Sequence, residues 1–132
     1  MPPNPAPPEG CTIVVADEDR AVLAFMVETL RESGCRVFAA HDARAAYELV
    51  LHHSVDVVVT NSCVGQVEGD HLVHALRRVR PTLPILHISA GSQQDREVEA
   101  RIPLDVPSLE EPFTAEQLLV AVCALLPGQN LR

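Results

Sequence analysis

The chain has 132 residues, of which 47% are hydrophobic, so it is long enough for one domain with a buried core and too short for two. Its formal net charge of -8 opposes contact with phosphate backbones, and no segment combines clustered arginines with aromatic residues, which excludes an ordinary nucleic-acid-binding surface. Every basic residue is an arginine, so any mechanism that requires a lysine is excluded as well.

The start of the chain is rich in proline and has neither a basic segment nor an apolar core. It therefore predicts an extended leader over 1–10 and no secretory signal. The domain is predicted over 11–127, with a short tail at 128–132. The four cysteines are widely spaced and form no CxxC pair, which favours reduced thiols in a cytoplasmic protein. They are Cys11, Cys35, Cys63 and Cys123.

Short β-branched runs alternate with segments of helical periodicity. Five runs predict strands, at 12–16, 36–40, 55–60, 84–88 and, more weakly, 104–106. Strands separated by helices indicate a parallel sheet, and nearly continuous apolar strands indicate that helices cover both faces. We expect an α/β fold with three layers.

The predicted helices are amphipathic and end at ordinary stop residues. Apolar residues recur at helical spacing before Gly34 in the first helix and before Pro81 in the third. The last helix starts with a capping-box spacing at Thr114 and Gln117 and is predicted to run to the Pro-Gly pair near the chain end. The fourth helix, within 92–101, has few apolar positions, which predicts a short, tilted or mobile element.

Polar residues follow the predicted strands at the edge where parallel sheets bind ligands. An acidic triplet at 17–19 follows the first strand, Asn61 follows the third, Ser89 follows the fourth, and the fifth leads to Glu111. We therefore expect any functional site at the carboxyl ends of the strands.

In register, these residues resemble the receiver domain of two-component response regulators over roughly 12–127. The resemblance implies a flavodoxin-like, doubly wound sheet with strand order 2-1-3-4-5, five helices and a signalling role without enzymatic activity. In that family an acidic pair, here Asp17 and Glu18, helps to hold Mg²⁺. An aspartate at the position of Asn61 accepts the phosphoryl group.

Further family positions also have counterparts in this chain. Ser89 stands at the position of the conformational Ser or Thr, and Gly69 at that of a loop glycine. Glu111 stands where the family has its lysine, and Ser108 where it has its aromatic switch residue.

The departures from the family predict a degenerate receiver. The neutral amide of Asn61 cannot attack phosphorus as a carboxylate does, so the phosphoacceptor position is degenerate. Glu111 places a negative charge where a cation stabilises phosphoryl transfer. Ser108 has no aromatic ring to rotate inward. We therefore expect no catalytic residue and no required cofactor.

The predicted pocket combines the carboxylates of Asp17, Glu18 and Glu111 without a lysine. Two like charges about 4 Å apart repel by roughly 1 kcal/mol in water and about 4 kcal/mol at a protein surface. Four arrangements would relieve this repulsion: a weak metal site on Asp17, Glu18 and Asn61, a carboxylate with a raised pKa, Arg20 folding over the pocket, or Glu111 facing solvent. We favour the last two.

Simpler explanations exist for several of these residues. Acids after the first strand suit a helix N-terminus, and Asn61 is also typical of a turn that needs left-handed backbone. His71 and His74 have the spacing of metal ligands, but a solvated helix face explains them more simply. Cys63 is expected to be a buried small residue whose pKa is raised by acidic surroundings.

The leading hypothesis is an atypical receiver that acts by phosphorylation-independent protein binding, with a histidine kinase or another signalling protein as partner. The resemblance implies a contact face built from the fourth helix, fifth strand and fifth helix, which also allows a homodimer; no nucleic acid or membrane is expected. One alternative is a receiver with altered metal or phosphate chemistry and Ser89 or Ser62 as acceptor. A remote alternative is a small haloacid-dehalogenase-like phosphatase that uses Asp17, Asp19 and Ser89.

Overall fold

A computed structural model describes residues 10–65 and 67–126. Most of the predicted leader and the whole predicted tail lie outside these residues. Within the described part of the chain, no helix is both long and apolar enough to cross a membrane.

The central sheet has five parallel strands in the order β2-β1-β3-β6-β7. Counting only the strands of this sheet, the order is the predicted 2-1-3-4-5, so the doubly wound fold is confirmed. The strands are β1 (Thr12–Ala16), β2 (Arg36–Ala40), β3 (Val57–Asn61), β6 (Ile85–Ser89) and β7 (Ser108–Glu110). A short antiparallel pair, β4 (Cys63–Val64) and β5 (Val67–Glu68), follows β3 and was not predicted.

Five helices cover the sheet. They are α1 (Arg20–Glu32), α2 (Ala43–His52), α3 (Gly69–Val79), α4 (Gln93–Ala100) and α5 (Ala115–Cys123). Side chains of α1 and α5 pack with one face of the sheet, and side chains of α2, α3 and α4 pack with the other. β1 is buried along its whole length because both of its faces are covered.

The helix signals in the sequence correspond to observed caps. Gly34, which follows α1, has a φ of +102°, a conformation that glycine adopts without a Cβ penalty. The Thr114 hydroxyl accepts the Gln117 N–H at 3.0 Å, and the Gln117 side chain accepts the Thr114 N–H at 2.8 Å, so the capping box is confirmed. α4 has only eight residues, as its sparse apolar positions predicted.

Two predicted boundaries are wrong. The fifth strand was expected at 104–106, but that segment is a turn between two prolines in which Leu104 is fully exposed. The strand follows it, because Ser108 is in register with His87. The last helix was expected to run through Leu126, but it ends at Cys123; Leu126 is buried in the core from a turn, so burial does not require helix there.

The third strand is also displaced from its predicted position. It covers Val57–Asn61 instead of 55–60, because Asp56 lies before it and accepts the Thr12 N–H at 2.8 Å. Asn61 is thus the last residue of β3, in register with Ile88. The described residues contain no positive φ outside glycine, so the expectation of a turn with left-handed backbone at Asn61 is wrong.

Candidate functional site at the carboxyl edge of the sheet

Asp17 is the most deeply buried acid at the predicted edge, with no exposed surface. It lies directly after β1, and its Oδ1 accepts the backbone N–H of Asp19 at 2.8 Å. Burial raises the pKa of Asp17 above its ordinary value, and the hydrogen bonds from Asp19 and Asn61 oppose that shift only in part. Glu18, in contrast, is exposed. The two members of the predicted acidic pair therefore have different environments.

The Asn61 side chain joins three parts of the site. Its Nδ2 donates to Asp17 Oδ2 at 2.9 Å and lies 3.5 Å from Glu111 Oε2, while its Oδ1 accepts the Cys63 N–H at 3.3 Å. The Asn61 NH₂ group faces the two carboxylates because it can donate hydrogen bonds to them. In the opposite orientation the amide oxygen would be a third acceptor beside two others, with no donor. The neutral amide thus binds two carboxylates where the resemblance expects a third.

Glu111 is partly buried, and its N–H donates to the Ser89 carbonyl at 2.7 Å. Burial raises the pKa of the Glu111 carboxyl, and the charges of Asp17 and Asp19 raise it further. The peptide bond between Glu111 and Pro112 is cis. Glu111 therefore does not relieve the repulsion by facing solvent.

The second favoured arrangement is also absent. Arg20 is exposed at the start of α1, and no ion pair within the described part of the chain includes it. The repulsion between Asp17 and Glu111 is instead reduced in two ways. The Asn61 amide donates to Asp17, and the pKa of each carboxyl group is raised, which favours its neutral form. The two arrangements that we favoured from the sequence are thus corrected by the structure.

Ser89 is buried, and its hydroxyl accepts the Gly91 N–H at 3.1 Å. Asp95 of α4 accepts the Ala90 N–H at 2.6 Å and fixes the same loop. No hydrogen bond joins Ser89 to Asn61 within the described residues. The hydroxyl therefore serves the β6–α4 loop and is not turned toward the site.

Gly69 is required by space and not by backbone angle. A Cβ at this position would lie 2.6 Å from the backbone oxygen of Asn61 and 3.2 Å from Ser62. The Gly69 N–H also donates to the Ser62 carbonyl at 2.7 Å. The start of α3 is thus packed directly against the residue that closes β3.

The residues of the predicted metal site do not fit a divalent cation in this arrangement. Both Asp17 oxygens already accept hydrogen bonds, Glu18 is exposed, and Asn61 presents its NH₂ group, not its oxygen, to the carboxylates. In the described part of the chain, every buried side-chain polar atom has a hydrogen-bond partner.

A different set of possible ligands lies beside this edge. In the described ranges, Glu68, Asp70 and His71 form the only group of three or more carboxylate, imidazole or thiol ligands close enough to share an ion. Arg101 donates to Asp70 at 3.1 Å and to Glu68 at 3.0 Å, so a guanidinium already neutralises this group. His74 is exposed, as expected for a solvated helix face, and its Nε2 lies 2.8 Å from the Arg101 carbonyl oxygen.

The cysteines are all free thiols. Burial raises the pKa of Cys63, as do Glu18 and other nearby carboxylates, which agrees with the predicted direction. Cys63 is only partly buried, however, and its thiol donates to the Gly65 carbonyl at 3.3 Å. Burial raises the pKa of Cys11 to about 12, so that thiol is not a nucleophile at neutral pH.

Sequence reasoning missed two features near the site. Ser108, assigned only from the resemblance, bonds through its Oγ to His87 Nδ1 at 3.0 Å, and His87 Nε2 lies 2.6 Å from Ser62 Oγ. A histidine inside an apolar strand was a visible signal for this chain of groups. The contact between Arg101 and Asp70 joins positions 31 residues apart and had no local signal.

Comparison with known proteins agrees with this fold. The family model described as "Response regulator receiver domain" matches residues 13–122. The chain is 29% identical over 114 residues to the transcriptional regulatory protein CpxR of Escherichia coli (strain K12), covering 86% of this chain and 48% of that protein. It is 33% identical over 114 residues to the response regulator MprA of Mycolicibacterium vanbaalenii, covering 86% and 49%.

Among solved structures, a response regulator receiver protein from Sinorhizobium medicae WSM419 is similar, with a TM-score of 0.81 and 31% identity over 92% of this chain and 98% of that one. The chain spans about half the length of the curated relatives it matches. Because the family model covers most of the chain and the sheet has the expected order, the chain belongs to the response regulator receiver domain family.

Proposed function

We propose that this receiver domain acts without phosphorylation, as a cytoplasmic protein-binding module of a two-component system. The observation that carries the proposal is the Asn61 amide, which donates to Asp17 and lies within hydrogen-bonding reach of Glu111. A carboxylate nucleophile at this place would be anionic, whereas the amide is neutral and already engaged.

The charges around Asn61 also oppose phosphoryl transfer. The transferred group carries negative charge, which kinases and receivers neutralise with cations. Here Asp17 is buried beside Glu111, and the chain has no lysine. An incoming phosphoryl group would meet two carboxyl groups instead of a cation.

Ser89 and Ser108 stand at the positions that respond to phosphorylation in the family, and here their contacts favour a single arrangement. The Ser89 hydroxyl is bound to Gly91, and Ser108 supplies a small hydroxyl where the family has an aromatic ring. A neutral side chain at Asn61 resembles an unphosphorylated site in size. We therefore propose that the domain stays in an inactive-like conformation and that partners recognise this conformation.

The proposed contact face is the α4–β7–α5 face, formed by α4, β7 and α5. Val120 of α5 is half-exposed, and a shallow groove lies beside it. The groove is lined by Leu109, Glu116, Gln117, Val120 and Ala121. Its mostly apolar lining, in which Glu116 is the one charged residue, suits a protein partner, such as a histidine kinase or another signalling protein, or a second copy of the chain.

A direct test compares the wild type with the Asn61→Asp, Glu111→Lys double variant. Each is titrated with Mg²⁺, with and without beryllofluoride, while backbone amides are followed by NMR. We expect only the double variant to respond, because it regains an anionic acceptor and a cation. Asn61→Asp alone serves as the control for the acceptor without the cation. A wild-type response along α4 would contradict the proposal.

A second measurement addresses altered chemistry. The protein is incubated with phosphoramidate and its mass determined; we expect an unmodified wild-type mass. Ser62 and Ser89, the alternative acceptors, are both buried and hydrogen-bonded, which does not favour an adduct. The phosphatase alternative is not favoured either, because Asp19 caps α1 through the Ala21 N–H at 2.9 Å.

The homodimer alternative is tested by sedimentation over a range of protein concentrations. Val120→Glu would disrupt a dimer built on the proposed face, whereas Leu51→Glu changes a comparably exposed apolar residue on α2. If both variants sediment as the wild type does at every concentration, this face forms no homodimer and the partner is a different protein.

A further inference from the structure

A buried histidine connects three strands beneath α4. His87 of β6 has no exposed surface and is in register with Thr60 of β3 on one side and Ser108 of β7 on the other. Its Nε2 lies 2.6 Å from Ser62 Oγ, and its Nδ1 lies 3.0 Å from Ser108 Oγ. The hydroxyl–imidazole–hydroxyl chain runs from the residue after Asn61 to the α4–β7–α5 face.

The distances favour one arrangement of the protons in this chain. Ser62 is buried, and among the described residues its other acceptor is the Ile88 carbonyl, 3.4 Å away. The much shorter contact favours the tautomer in which Nε2 is unprotonated and accepts a hydrogen bond from the Ser62 hydroxyl. The single ring proton is then on Nδ1 and is donated to Ser108, whose own hydroxyl is free to bind water because Ser108 is exposed.

Among the described residues, the charged groups that act on the ring, Glu99 and Asp95, both belong to α4. Burial lowers the pKa of His87 below its ordinary value, whereas Glu99 and Asp95 of α4 oppose that shift. The neighbour that follows β3 is the neutral hydroxyl of Ser62, and the neighbour on β7 is the neutral hydroxyl of Ser108. A proton on the ring would therefore attract the carboxylates of α4 first.

We propose that His87 is a proton-operated switch that couples the end of β3 to the α4–β7–α5 face. When Nε2 takes up a second proton, it becomes a donor to Ser62 Oγ, and the Ser62 hydroxyl must turn to the Ile88 carbonyl. The new positive charge attracts Glu99 and Asp95, and Asp95 also holds the Ala90 N–H at the start of the β6–α4 loop. Acidification therefore alters α4 and the strand end together.

The sign of the linked stability change follows from the lowered pKa. The unfolded chain binds a proton at His87 near the ordinary histidine pKa of about 6.5, whereas the folded chain resists it. The contribution of His87 to the free energy of unfolding is therefore complete above that pH. It is lost as the pH falls from about 6.5 toward the folded-state pKa.

The test is an NMR titration of the histidine rings and backbone amides of the whole chain from about pH 8 to about pH 5. We expect the neutral His87 ring to carry its proton on Nδ1. We also expect the ring to titrate below the ordinary histidine range and the amides of Ser62, Ala90 and Ser108 to shift with the same midpoint. Glu99→Gln should lower this midpoint, whereas Glu97→Gln, on the same helix, should not.

His87→Leu should remove the coupled amide shifts, and if that variant does not fold, the comparison of Glu99→Gln with Glu97→Gln decides. The proposal is overturned if the amides of Ser62, Ala90 and Ser108 do not follow the ring, or if Glu99→Gln leaves the midpoint unchanged. The importance of this face for partners rests on the proposed function, but the titration uses no partner and no phosphodonor. Failure of the switch and failure of the proposed function are therefore distinguishable.

Discussion

Asn61 holds together two acids that would otherwise repel each other. Its amide nitrogen contacts Asp17 and Glu111, and its oxygen is bound by the Cys63 N–H. The carboxyl groups respond to burial and to each other with raised pKa values. The local contacts thus form a polar cluster that Asn61 holds together.

Glu111→Gln should stabilise the protein at neutral pH. The substitution removes the charge that repels Asp17 but keeps an oxygen for the Asn61 amide, so we expect a gain of about 1 kcal/mol in the free energy of unfolding. Because the pKa of Glu111 is raised in the fold, the wild type and the variant should have equal free energies of unfolding at low pH, where Glu111 is protonated. The free energy of unfolding of the wild type should fall below that of the variant as the pH rises through the folded-state pKa of Glu111.

Urea unfolding at several pH values measures this difference. Glu110→Gln is the matched control, since Glu110 is the exposed neighbour. If the two substitutions change the free energy of unfolding equally at neutral pH, the repulsion is not specific to Glu111 in the cluster around Asn61.

At the scale of elements, α4 is short and is held mainly at its ends. The Ser92 hydroxyl caps its first turn by accepting the Asp95 N–H at 3.1 Å. At its other end, Arg101 binds Asp70 of α3. Only Asp95 and Val98 of this helix are buried, so the polar contacts carry much of its attachment to the domain.

Asp70→Asn should loosen the C-terminal end of α4. Burial alone would raise the pKa of Asp70, but the hydrogen bonds and charge of Arg101 lower it overall. We expect the free energy of unfolding to fall by about 2 kcal/mol at neutral pH. The Asp70 carboxylate is nearly inaccessible to solvent, and its hydrogen bonds from Arg101 are charge-assisted. The lowered pKa means that this contribution is present above the ordinary aspartate pKa and is lost as the pH falls through the folded-state value.

Hydrogen exchange of the α4 amides, together with urea unfolding, measures the loss. Asp105→Asn is the matched control, because Asp105 pairs with Arg77 at 2.9 Å but is largely exposed, so its loss should cost less than about 1 kcal/mol. Unchanged exchange in α4 in the Asp70 variant would mean that packing alone holds the helix.

At the scale of the whole molecule, the charge is both large and unevenly placed. The net charge is -8, and the acids of the site lie at the carboxyl edge of the sheet. Such self-repulsion destabilises a compact state. The domain therefore tolerates its acidic edge at a cost to its stability that depends on ionic strength.

Raising the ionic strength from about 0.01 M to about 0.15 M should raise the thermal midpoint, because the screening length falls from about 30 Å to about 8 Å. Circular dichroism during heating measures the shift. Glu111→Gln, with one fewer charge in the acidic cluster, should show a smaller shift than the wild type. A midpoint that falls with added salt would indicate that attractive ion pairs such as Arg101 with Asp70 outweigh the repulsion.

The sequence by itself determined the order of the main elements and the edge of the sheet where the site lies. Alternation of apolar runs with helical periodicity is a local property of the chain, and it specifies a parallel sheet covered on both faces. The caps at Gly34 and Thr114 are also local, since each involves residues at most a few positions apart. The identities of Asn61 and Glu111 are also read directly from the sequence, and the proposed action without phosphorylation rests on them.

Only the tertiary structure decided how the acids at the site are accommodated. Asn61 reaches Asp17 across 44 positions and Glu111 across 50, so no local pattern could show that an amide, and not Arg20 or solvent, separates the two carboxyl groups. The position of the last strand and the burial of His87 between two hydroxyls were decided in the same way. Hydrogen bonds between distant residues depend on strand register and burial, which exist only once the sheet is assembled.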